Sequence, residues 1–90
     1  MQSFSDVLAL VKEYFQEKVR TNQLTETAYT CWIENIQPGR FENNTAFLVV
    51  SFEFHRSILM SQYLEPLQEA FTQVLGFPVK VEILCIADAM

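Results

Sequence analysis

The chain predicts a small α/β (α+β) domain whose elements run α-α-β-β-α-β, with a three-stranded sheet. Three observations carry that prediction. Apolar residues recur at helical spacing over residues 4–20 and again over 53–75. An unbroken apolar run, Ala46-Phe-Leu-Val-Val50, follows the turn-forming pair Asn43-Asn44. A strict alternation, Val79-Lys-Val-Glu-Ile83, follows the stop signal Gly76-Phe77-Pro78. Ninety residues make one domain, and 50% apolar against 19% charged residues excludes a disordered tail. Residues 3–86 are expected to form that domain, and 87–90 a tail or the start of a linker.

The first helix is expected over residues 4–20, with Ser3 as its cap and Asp6 completing a capping box. Phe4, Val7, Val11, Tyr14 and Phe15 share one face, and Leu8 and Leu10 flank it. Thr25 caps a second helix, with Glu26 placed for the helix dipole. Leu24 and Tyr29 stand where a hydrophobic staple forms. Ala28, Tyr29, Trp32 and Ile36 share a face, and Pro38-Gly39 is expected to end the element. Trp32 reads as a core anchor, so that Trp32→Ala would cost roughly 3–5 kcal/mol.

A hairpin is expected over residues 40–50, turning at Glu42-Asn-Asn-Thr45. The apolar run of its second strand suggests a sheet covered on much of both faces. Ser51 is a candidate cap for the third helix, with Glu53 in its first turn. That helix runs to Leu75, and Pro66 inside it should kink or restart it.

Composition excludes several functions. The net charge is −5, with 11 acidic residues against 6 Lys and Arg, and no two basic residues adjoin. Tight duplex binding depends on clustered cations, so it is not expected. No apolar run is long enough to span a membrane, and no secretory leader is expected from the opening residues. Cys31 and Cys85 are too few and too far apart for a zinc site, and read as buried, reduced thiols of a cytoplasmic protein. His55 lacks a nucleophile and an orienting acid in any triad-like pattern. No phosphate loop exists, since the glycines are only Gly39 and Gly76. No enzyme, cofactor or metal is therefore expected.

One feature of the third helix points to binding. Met60, Tyr63, Leu64, Leu67, Phe71 and Val74 form a continuous stripe that reads as core. Phe54 and Ile58 fall well away from it and are i,i+4 neighbours. They form either an exposed docking patch or, if Pro66 resets the helix phase, part of the core.

The ordered set of Tyr29, Trp32-Ile33, Phe47-Leu-Val-Val50, Ser51-Phe-Glu-Phe54, Tyr63, Leu67 and Val79-Lys-Val-Glu-Ile83 resembles the N-terminal domain (domain I) of the bacterial chromosomal replication initiator DnaA. The resemblance covers residues 3–84. It implies a fold similar to a KH domain, although the KH Gly-x-x-Gly loop is lacking here. It also implies an interaction hub with the replicative helicase, other initiator molecules and regulatory proteins as partners, and weak single-stranded DNA contact as a further expectation. ATP binding and duplex recognition would lie in later domains.

Carried onto this chain, Phe54 matches the family's exposed partner-contacting Phe, with Ile58 beside it. Ala28 stands where some members carry a helicase-contacting Glu, and Glu26 is the nearby substitute. Leu8, with Val7, lies where some members use a first-helix Trp for self-association. A KH-like single-stranded nucleic-acid module and a stand-alone adaptor that regulates the initiator are the alternative readings.

Overall fold

In a computed structural model, which describes residues 3–86, Ser3 and Asp6 open the first helix by capping each other. The Asp6 N–H donates to Ser3 Oγ at 3.2 Å, and the Ser3 N–H donates to the Asp6 carboxylate at 3.3 Å. This helix, α1 (Phe4–Arg20), ends with Lys18 and Arg20 in its last turn, where cations suit the dipole. Thr25 caps α2 (Glu26–Ala28) through the Ala28 N–H, as its side chain predicts. From Tyr29 to Ile33 the chain widens into a π-helical turn, closed by the Glu34 N–H donating to the Tyr29 carbonyl at 2.9 Å.

β1 (Gln37–Glu42) and β2 (Thr45–Val50) form the hairpin. Asn43 and Asn44 hold φ of 52° and 58° at its turn. That left-handed pair suits the twist of the flanking strands and is tolerated best by Asn and Gly. The expectation for Pro38-Gly39 needs correction: both lie inside β1 and do not end the second helix. β1 is an edge strand, where proline's missing donor costs nothing, and the ladder register slips between Pro38 and Arg40. A Cβ on Gly39 would sit 2.5 Å from the Phe47 carbonyl oxygen, so the bulge requires glycine.

The third helical stretch comes in three pieces: α3 (Glu53–Ile58), a second π-helical turn (Leu59–Tyr63) and α4 (Leu64–Leu75). Pro66 restarts the helix, as expected. It occupies the first turn of α4, where no intrahelical partner awaits its missing N–H. Ser51 does not cap α3. Phe52 holds the extended N-cap conformation, and no side chain caps the helix. Gly76, at φ 83°, ends α4 in the left-handed conformation.

β3 (Lys80–Cys85) runs parallel to β2, which makes β2 the central strand of the order β1-β2-β3. The result is a single α+β domain with a mixed sheet. Along β2, Ala46, Leu48 and Val50 are buried, while Thr45, Phe47 and Val49 are only half-buried. The sheet is therefore covered on one face, not both. The apolar run was ambiguous because an outward Phe and Val look the same in sequence as inward ones.

Beneath the covered face lie Val7, Leu8, Val11 and Phe15 of α1, Ile33 and Ile36, and Leu67, Ala70 and Phe71 of α4. The outer edge of β3 is closed by side chains. The Val79 N–H donates to Thr72 Oγ1 at 3.3 Å, the Val81 N–H to Gln68 Oε1 at 3.2 Å, and Arg56 Nε to the Ile83 carbonyl at 2.9 Å. Cys85 is buried as expected, but Cys31 is exposed, because it lies on the outer side of the π-helical turn. The expected tail, 87–90, lies outside the described residues. Among the described residues no helix is long and apolar enough to cross a membrane.

Gly39→Ala should lower stability by about 1–3 kcal/mol, since the clash is with backbone that cannot rotate away. Thermal melts should register this as a clear drop, and an unchanged melting temperature would mean the bulge relaxes freely. Asn44→Gly should leave stability unchanged or raise it, whereas Asn44→Val should cost about 1–2 kcal/mol for a β-branched residue at positive φ. Urea midpoints of the pair check the turn assignment.

Candidate functional site

Most large side chains here are consumed by the core, so the exceptions mark a surface. Phe52 and Phe54 are 70% and 68% exposed at the start of α3. Each flanks Glu53, whose carboxylate pairs with Arg56 Nη1 at 3.2 Å. The Phe54 ring meets Trp32 edge to face, with centroids 5.9 Å apart and planes at 64°. Trp32 is half-buried and sits on the π-helical turn.

His55 ties the two elements together from below. Its ring lies 5.8 Å from the Trp32 ring, and its Nε2 is 2.7 Å from the Trp32 carbonyl oxygen. A carbonyl only accepts, so Nε2 carries the hydrogen and donates it. That bond engages the ring of the single histidine in structure. Around this pair runs an open groove of about 560 Å³, lined by Trp32, Phe52, Phe54 and His55 with Cys31, Asn35, Gln37 and Ser51. Aromatic rings make up half of its lining, and no Asp, Glu, Lys or Arg is part of it.

Lys12 of α1 is engaged within the domain. Lys12 Nζ donates to the Glu34 carbonyl at 2.9 Å, at the end of the second helical segment. Burial pushes the Lys12 ammonium below the usual lysine range, and the nearby Glu34 carboxylate draws it part of the way back. Among the described residues no cluster of three His, Cys, Asp or Glu is placed to hold a metal ion.

The residues singled out from sequence scatter more widely than the groove. Phe54 is exposed, and Ile58, one turn further along α3, is half-buried. Glu26 is exposed and lines a shallower depression with Thr27, Thr30 and Cys31, so Cys31 alone joins it to the aromatic groove. Ala28 is half-buried on the same helical segment. Val7 and Leu8 are core residues, 7% and 2% exposed, and offer no surface for self-association. α1 turns them inward because its apolar arc packs on the rest of the core.

Sequence reasoning missed Phe52 and misread Trp32. A regular helix aligns Trp32 with Tyr29, but the extra residue in the π-helical turn brings Ile33 into the core and leaves Trp32 at its margin. No pattern in the residues announces that turn. Phe52 follows two residues after the buried Val50, which by strand alternation points inward; the strand ends first.

Phe54→Ala should cost under about 1 kcal/mol, as expected for a mostly exposed ring. Trp32→Ala should cost about 1–3 kcal/mol, less than a fully buried anchor would. Melting both proteins side by side tests the assignment, and a larger loss for Phe54→Ala than for Trp32→Ala would contradict it.

A family model described as the DnaA N-terminal domain matches residues 8–73. The chain is also 28% identical over 67 residues to the chromosomal replication initiator protein DnaA of Caldanaerobacter subterraneus subsp. tengcongensis. That alignment takes in 74% of this chain and 15% of the relative, so the chain matches only a small part of that protein's length. With the α+β fold and the ordered Trp32 and Phe54 motifs already in place, the match over most of its length means that this chain belongs to the DnaA N-terminal domain family.

Proposed function

We propose that this chain is a non-catalytic protein–protein docking domain of a DnaA-type replication initiator, and that it docks through the aromatic groove around Phe54 and Trp32. One observation carries the reading. Two exposed phenylalanines stand beside a half-buried tryptophan at the margin of a domain that already has a complete core. Exposed, fixed aromatics are what binding hot spots are made of. The replicative helicase is the first partner, with regulatory proteins and other initiator molecules competing for or sharing the surface. Glu26 lines the depression next to the groove, with Ala28 on the same helical segment, and the two would widen the contact, whereas Val7 and Leu8 are not part of the proposal.

The mechanism is tethering. Other parts of a longer initiator would hold ATP and the origin duplex, while this domain gathers partners. Individually weak contacts then act through raised effective concentration.

The nucleic-acid alternative has a narrower basis. Arg40 lies over the Phe47 ring at 4.2 Å on the open face of the sheet, but its guanidinium is paired with Glu42 at 3.1 Å. An acidic protein with a paired cation favours a protein partner.

Titrating the isotope-labelled domain with the cognate replicative helicase, then with a short single-stranded oligonucleotide, tests the choice by NMR. Shifts should cluster at residues 31–35 and 52–58 with helicase. Phe54→Ala should weaken helicase binding at least about tenfold, in the range of a hot-spot residue. Helicase binding indifferent to Phe54→Ala, or shifts confined to the open sheet face with oligonucleotide alone, would overturn the docking reading.

A further inference from the structure

Phe54 stands on a helical segment that should be loose. α3 spans only Glu53–Ile58, begins without a side-chain cap and gives way at once to a π-helical turn. A ring on so short and uncapped a segment would have to be ordered at the moment of binding, at a cost in affinity. The next two residues remove that freedom. His55 reaches one way, donating from Nε2 to the Trp32 carbonyl at 2.7 Å. Arg56 reaches the other way, donating from Nε to the Ile83 carbonyl of β3 at 2.9 Å, while its Nη1 holds Glu53 at 3.2 Å.

Both acceptors are backbone carbonyls on separate elements, so the start of α3 is pinned between the second helical segment and the sheet. His55 is buried, and Arg56 is half-buried, which keeps water from competing freely for either bond. His55 also packs at a tilt against the same tryptophan that meets Phe54, so one side chain bears on both the helix position and the aromatic contact.

We propose that His55 and Arg56 are positioning residues for docking: they hold α3 so that the Phe54 ring stays edge-on to Trp32 before any partner arrives. Both roles rest on the Phe54 surface being the docking site. The pair supplies rigidity and leaves the partner contacts themselves to the exposed rings.

The chain's single tryptophan is Trp32, so its fluorescence reports on the patch directly. Arg56→Met keeps the aliphatic stem and removes the donors. His55→Leu removes the other bond. Acrylamide quenching of Trp32 should rise about twofold in each variant, and affinity for the cognate replicative helicase should fall about five- to tenfold, as expected when pre-organisation is lost. Arg56→Lys and His55→Gln, each with a donor still in reach, should recover much of both. Should His55→Leu not fold, His55→Asn replaces it, because its shorter amide falls short of the Trp32 carbonyl.

Quenching and helicase affinity both equal to wild type, in variants shown to fold by thermal melts, would overturn the positioning roles. A general stability loss without a change in Trp32 quenching would overturn them too. Helicase binding indifferent to Phe54→Ala would instead sink the docking reading. Quenching alone then decides whether the pair holds the ring.

Discussion

A three-stranded sheet has two faces, and this chain has helix enough to cover only one. Everything else is arranged around that limit. Ala46, Leu48 and Val50 of the central strand point down with Val81, Ile83 and Cys85 of β3, and α1 and α4 close over them. Each fully buried aliphatic side chain there contributes roughly 1.5–3 kcal/mol. With that face saturated, the other carries a compromise of half-buried Phe47 and Val49, exposed Leu84, and Arg40 laid across the Phe47 ring. The aromatic pair at the start of α3 is not explained by this compromise. Phe52 and Phe54 belong to neither face of the sheet and stand out as a separate aromatic surface.

The two π-helical turns bracket that surface. One carries Trp32 and the other follows directly on α3. Such turns are less stable than regular helix and recur at functional sites because they aim side chains that a regular spiral would misplace. Here the first turn puts Ile33 in the core and Trp32 on the rim. The second opens at the fully buried Leu59, which regular helix already places on the side away from the mostly exposed Phe54. The cost of irregular backbone is offset by hydrogen bonds between the segments, chiefly that from His55 to the Trp32 carbonyl.

Much of this was legible beforehand, and the residues that were not share a cause. Caps and turns are local chemistry, so Ser3 with Asp6, Thr25, Asn43-Asn44 and Gly76 could be read directly. The alternation of β3 and the helical stripe of Leu67 and Phe71 were equally plain. Failures came where a position depends on distant backbone. Pro38-Gly39 resembles a helix stop, yet makes a strand bulge because the Phe47 carbonyl lies where a Cβ would go. Ser51 has the chemistry of a cap but not the geometry. Cys31 reads as buried from its residue type and Trp32 from a regular helix, whereas Val7 and Leu8, surface residues by resemblance, have a spacing that places them on or beside the apolar face. Of the exposed aromatic patch, Phe54 is visible in the sequence through its distance from the stripe; Phe52 and the groove itself require the fold.

The hydrogen bonds along β3 bear on more than the stability of one molecule. An unpaired strand edge is a template for another chain, and the hazard grows steeply when copies are crowded together. Thr72 and Gln68 take up the outward N–H groups of Val79 and Val81, Arg56 takes up the Ile83 carbonyl, and the opposite edge is broken by Pro38 and its bulge. Strand-to-strand pairing between crowded copies is thereby made harder at both edges of the sheet.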